Sequence, residues 1–249
     1  VGTTIYVDGY RTGNGNDNNS GTSQDQPVKT LKHAVELAGE NGTVIILDTV
    51  YITEDTVLDN NVTIKRGGTC EIGMIYIDHH TLTINHATID GNKQEYPDSS
   101  QMIADYGDSD IYINEGAKLC NNGEAAIRQM ATRGTEFATT VTMNGGEICD
   151  NDSGSYSNAA VVMDQPIGEL YINGGSIHDN KTGAIKVGVP IFNMTGGKIY
   201  NNDNSGESFG GIRLMLATKG VISGGEIYGN KSYNGGGISM IGSTQLTVS

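Results

Sequence analysis

Asp90, Cys120, Cys149 and His178 are of the types that ligate zinc, and they recur at steps of 30, 29 and 29 residues. Tyr200 and Tyr228 continue the same series. A second series joins Arg128, Lys186 and Arg213, three of only 15 basic residues in the chain. Asp164 falls beside them, with Asp105 and Asp98 in the segment before. Carboxylates gathered beside cations on one surface could do acid–base chemistry. Two carboxylates roughly 5 to 9.5 Å apart can act as acid and base, or as acid and nucleophile, in glycoside hydrolysis. Both series depend on elements that repeat at the same interval.

Those elements are visible. Residues 84–92, 113–122, 143–151, 172–180, 194–202 and 222–230 share one pattern: apolar, polar, a Gly-rich pair, any residue, Ile or Leu, two variable residues, Asn. The closing Asn falls at 92, 122, 151, 180, 202 and 230, in steps of 30, 29, 29, 22 and 28 residues. Each repeat carries three short strand signals. The first alternates apolar and polar, as in Ile111-Tyr112-Ile113 and Val141-Thr142-Met143. The second centres on Ile89, Leu119, Ile148, Ile177, Ile199 and Ile227. The third follows the Asn, as in Ala126-Ile127-Arg128 and Ala184-Ile185-Lys186. Period-two alternation marks half-buried strands, and paired Gly permits sharp turns. Three strands per repeat with no helical period describe a coiled parallel sheet whose turns stack at about 4.8 Å. In-register Asn side chains would then bond from coil to coil.

Equivalent residues form columns along such a coil. Thr88, Lys118, Glu147, Ser176, Lys198 and Glu226 form the first, read as solvated cross-strand pairs. The second is the Asp90–Tyr228 series. A straight ladder at about 4.8 Å does not place four ligands around one ion at about 2.0 to 2.3 Å, so its sparse Cys are read as structural and no metal is assigned. The Cα spacing of Cys120 and Cys149 would admit a disulfide, leaving Cys70 over. The third column has Arg128, Val162, Lys186, Arg213 and Ser239 outward, with Asp164 two residues after Val162. The stretch Gln101 to Tyr106 takes this position in the preceding coil and is expected to bring Asp105 to the same face. Two coils separate Asp105 from Asp164, roughly 9.6 Å, which suits inversion better than retention. Long connections here carry Tyr96, Asp98, Tyr156 and Glu207 and are expected to wall a groove.

These phased repeats closely resemble the right-handed parallel β-helix family of pectate-lyase-like architecture. The resemblance covers nearly all of the chain and supplies the handedness. It implies a single all-β solenoid domain over 1–249, of about eight or nine coils, with an N-terminal cap and first coil over 1–47 and further coils over 48–249. The opening segment fits: Thr4 to Asp8 reads as a strand, Pro27 to Ala38 as an amphipathic capping helix, and Thr43 to Leu47 as a buried strand. Ser249 falls in mid-coil, so further coils or another chain are expected to cover that end. Val1 in place of Met is expected of a processed chain. The style of the repeats resembles surface and secreted carbohydrate-active β-helix proteins of Gram-positive gut bacteria.

The resemblance implies an extracellular, cell-surface protein that engages carbohydrate, leaning towards a glycoside hydrolase working in a groove along one sheet. Asp164, Asp105 and Asp98 are the candidate acids, and Arg128, Lys186, Arg213, Tyr156 and Glu207 the substrate-binding residues. A lyase fits less well, because no carboxylate cluster for Ca²⁺ is evident. The other reading is a non-catalytic adhesin or stalk. A net charge of −14 repels phosphate backbones and anionic lipid, which argues against nucleic acid. No run of 18 apolar residues is present for membrane insertion. The Asn14 to Asn19 loop is rich in oxygen ligands for Ca²⁺ but lacks the spaced carboxylates of a calcium hand. No cofactor is expected.

Overall fold

A computed structural model of the chain describes residues 2–130, 138–153, 159–206 and 209–249. It is a parallel β-solenoid of about seven turns, slightly fewer than the repeat count predicts. Three parallel sheets run its length, with eight, nine and eight strands. The first contains Ser109–Ile113, Thr139–Met143 and Glu169–Ile172. The nine-stranded second sheet contains Lys118–Cys120, Glu147–Cys149, Ser176–His178, Lys198–Tyr200 and Glu226–Tyr228. The third contains Ile103–Asp105, Ile127–Gln129, Ala159–Met163, Gly183–Val187 and Ile212–Leu214.

The expected register holds. Ile127, Val161, Ile185, Ile212 and Ile238 are paired from strand to strand. The first four are fully or almost fully buried, and Ile238 packs partly buried against them. The helix is shorter than the pattern predicts, Leu31–Ala38. Val28 is held instead in a strand-like bridge to Val7, donating to the Tyr6 carbonyl at 2.9 Å, and Thr30 caps the helix at the His33 amide.

Coil-to-coil Asn bonding is present, with one rung replaced. The Asn151 amide group donates to Asn180 Oδ1 at 3.1 Å, Asn180 to Asn202 at 2.8 Å, and Asn202 to Asn230 at 2.9 Å. The Asn122 backbone N–H donates to Asn151 Oδ1 at 3.1 Å. Asn92 turns aside to the Arg66 carbonyl and Glu95. In its place stands Arg66, fully buried, whose guanidinium donates to Asn122 Oδ1, Gly91 O, Thr69 O and both oxygens of Ser100. A cation thus sits at the donor end of the ladder.

A second ladder follows the first sheet and runs the opposite way. Asn173 donates to Asn144, Asn144 to Asn114, Asn114 to Asn85, and Asn85 to the Asp59 carboxylate, at 2.9 to 3.1 Å. Here an anion closes the acceptor end. Each ladder therefore ends on the charge that its bond direction favours.

Asn151→Ala and Asn180→Ala should each cost about 1 to 3 kcal/mol, because buried partners are left unpaired. Arg66→Met should cost about 3 to 5 kcal/mol, while Asn92→Ala costs less than either ladder variant. Urea unfolding of the four variants measures the order.

Candidate functional site

The third sheet does not assemble the acids read from the sequence. Asp105 lies inside the coil, not on the outer face, and is 0% exposed. Its strand pairs Ile103 with Ile127 and Asp105 with Gln129, so the alternation that buries Ile103 also buries Asp105. It accepts hydrogen bonds from the Ser109 hydroxyl and the Gly107 N–H, while Oδ2 has no partner. Asp164 does lie on the outer side, half-buried, with Lys186 Nζ 3.6 Å from its Oδ2. Asp98 is exposed on the 93–100 connection, beside Tyr96, Pro97 and Ser99 at a small hollow of 200 Å³. Tyr156 and Glu207 lie outside the described residues.

The cations do share that sheet, but not as a bare platform. Arg213 lies over the Phe209 ring at 4.6 Å. Phe209 in turn covers Val162, Ala125 and Ala159 in a small apolar cluster separate from the main core. Phe209 therefore closes over the sheet at Val162, with Arg213 against its ring. Arg128 is half-buried, near enough to Tyr106 to act on it electrostatically. Earlier on the same sheet stands an aromatic stack that the repeat alignment misses. Tyr51 and Tyr76 are 4.9 Å apart by ring centroids, and Tyr76 and Tyr106 are 4.4 Å apart. Tyr51 and Tyr76 precede the phased repeats and Tyr106 follows a stretch that lacks their signature, so no motif flags them.

The second sheet offers another concave surface. A groove of 790 Å³ runs along the corner where the first sheet turns into the second. Its floor is the stacked turns at Gly116, Gly146, Gly175, Gly197 and Gly225, all with positive φ of 78° to 93°. At Gly146 a Cβ would lie 2.5 Å from the Ala117 carbonyl oxygen, so the turn can pass the coil below only without a side chain. The wall is the first column: Thr88, Lys118, Glu147, Ser176, Lys198 and Glu226. This column, read from sequence as solvated pairs, therefore lines a groove. Two residues along each strand, on the same face, His178, Tyr200 and Tyr228 stack with centroids 4.9 and 5.0 Å apart and planes within 5°.

His178 connects the stack to the wall. Its Nε2 is 2.8 Å from Glu147 Oε1 and its Nδ1 is 2.5 Å from Asp179 Oδ2. Burial works against its protonation, but the two carboxylates outweigh it and raise the pKa. Cys149 lies beside it, with Cys120 one strand further on, and these and Cys70 are free thiols. Burial pushes Cys120 up to about 11 and Cys149 up to about 12, so neither is an activated nucleophile. In the N-terminal loop two of the candidate Ca²⁺-ligating side chains accept hydrogen bonds from backbone amides. Asp17 accepts from the Lys29 and Thr30 amides, and Asn16 accepts from the Asn18 amide.

Compared with known proteins, the chain matches no family model, no curated protein and no solved structure. Its likeness to the β-helix family therefore rests on the solenoid architecture itself.

Burial raises the Asp105 pKa to about 6, against about 3.9 for an unfolded Asp. The folded chain binds this proton more tightly, so the stability tied to it is greatest below about pH 4, falls as pH rises through about 6, and is flat above. The fall should be roughly 2 to 3 kcal/mol. Asp105→Asn should remove it, and the difference between the two unfolding free energies from pH 4 to 8 isolates it from the His titrations common to both proteins.

Proposed function

We propose that the protein is an extracellular glycan-binding solenoid that holds a sugar chain along the glycine-floored corner of its second sheet and does not cleave it. The observation that carries this reading is the groove: open, six coils long, and walled by Lys, Glu and Ser or Thr side chains in alternation. Sugar hydroxyls both donate and accept. A wall alternating ammonium donors, carboxylate acceptors and hydroxyls matches them, and the bare glycine turns let a chain approach the backbone. Five coil steps span roughly 24 Å, the scale of an extended oligosaccharide rather than a single small molecule. The stacked rings of Tyr200 and Tyr228 add an aromatic border beside the polar wall.

Binding is favoured over hydrolysis because the three candidate acids are dispersed. Asp105 is inside, Asp164 is paired with Lys186, and Asp98 is on a separate connection. A cell-surface location follows from the ligand class, and this reading joins the glycan partner to the adhesin or stalk alternative.

Calorimetric titration with neutral and uronic oligosaccharides of increasing length tests the proposal. Affinity should rise with length and level off once the groove is filled. Lys198→Ala and Glu226→Ala should each weaken binding by about 1 kcal/mol, near 5-fold, with Arg213→Ala unchanged. Loss with Lys186→Ala or Arg213→Ala but not with Lys198→Ala would move the site to the third sheet. Product release by the wild-type chain would restore the hydrolase reading.

A further inference from the structure

We propose that Glu147, Cys149 and His178 form a zinc-binding site on the outer face of the second sheet. One ligand atom from each residue lies within 4.8 Å of the other two. The site shares Glu147 with the groove wall, but the inference does not depend on what the groove holds.

A straight column of side chains cannot surround an ion, but this set is not a column. Glu147 and Cys149 are two residues apart on one strand, with the core residue Ile148 between them, so both leave the same face. His178 is the register partner of Cys149 on the next strand. Two ligands from one strand and a third from its neighbour make a triangle, the arrangement zinc uses when it takes three protein ligands and keeps one position for water. Cys120, on the other side of Cys149, falls outside the group.

The surroundings match what zinc ligation requires of histidine. A ligating imidazole usually gives its second ring nitrogen to a carboxylate, which fixes ring and tautomer. His178 Nδ1 is bonded to Asp179, which leaves Nε2 directed at Glu147. The Tyr200 ring lies parallel at 4.9 Å and holds the imidazole plane. Bonds of about 2.0 to 2.1 Å in a tetrahedron set N and O ligands about 3.3 Å apart. The 2.8 Å between His178 and Glu147 therefore has to open by about half an ångström. Cys149 is 1% exposed and its thiol is free, while the Glu147 side chain is 47% exposed, so a buried soft ligand is reached past an accessible carboxylate. On ligation the Cys149 thiol proton passes to solvent and sulfur binds as thiolate. Sulfur, imidazole and carboxylate together favour zinc over Ca²⁺ or Mg²⁺, which take oxygen ligands.

Equilibrium dialysis of the reduced, full chain against micromolar Zn²⁺, followed by metal analysis, is the test. Cobalt substitution provides the spectroscopic readout. The wild-type chain should hold one zinc and show a thiolate-to-cobalt charge-transfer band. Cys149→Ser should abolish that band, and His178→Ala should weaken zinc by about 100-fold. Asp179→Asn should weaken it by about 10- to 100-fold. Cys120→Ser and His79→Ala should bind as wild type. Far-UV circular dichroism identifies any variant that fails to fold, and the cobalt spectrum of the wild type stands without them. A wild-type chain that retains no zinc, or one whose cobalt complex lacks a thiolate band, overturns the proposal. Stoichiometric zinc surviving in folded Cys149→Ser and His178→Ala overturns it equally.

Discussion

Register between coils is the constraint on which everything else in this molecule depends. Backbone bonds between parallel strands leave a solenoid free to slip unless something distinguishes one alignment from the next. The inner Asn ladder does so, because each amide must meet the Oδ1 of the next coil or remain buried without a partner. Arg66 fixes where that ladder begins. A buried guanidinium is costly unless every donor is used, and here its partners come from four separate places in the chain: Thr69, Gly91, Ser100 and Asn122. The interior cation thus ties the N-terminal turns to the phased repeats that follow.

Once register is fixed, chemistry can be built only in two ways. Residues on successive coils align along the axis, and residues two apart on one strand sit side by side across it. The groove wall and the ring stack use the first way. The Glu147, Cys149 and His178 triangle needs both. Asp105 shows the same rule acting against a site, since alternation along its strand commits it to the interior with Ile103.

The repeat period made the fold, the register and the buried Ile column legible from sequence, because all three follow from local alternation. What escaped was long-range or diagonal. Arg66 carries no motif, and its partners are 3 to 56 residues away. Asp105 was misplaced because the coil from Gln101 to Tyr106 lacks the repeat's signature, so its parity could not be read by alignment. Glu147 belongs to one column and His178 to another, and only a diagonal contact between neighbouring strands brings their side chains to 2.8 Å. The groove was missed because a column of mixed charge looks the same on a convex face and in a concave corner. The glycine turns decide which it is.

The groove wall has an order of its own. Read along the axis it runs Thr88, Lys118, Glu147, then Ser176, Lys198, Glu226: hydroxyl, cation, anion, twice over. The chemistry therefore recurs every third coil, a translation of roughly 14 Å. A polymer shifted by that distance meets the same sequence of partners, whereas a shift of one coil sets cation where anion stood. Such a surface has commensurate and incommensurate alignments. A bound chain on it would move in long strides between equivalent berths rather than drift continuously.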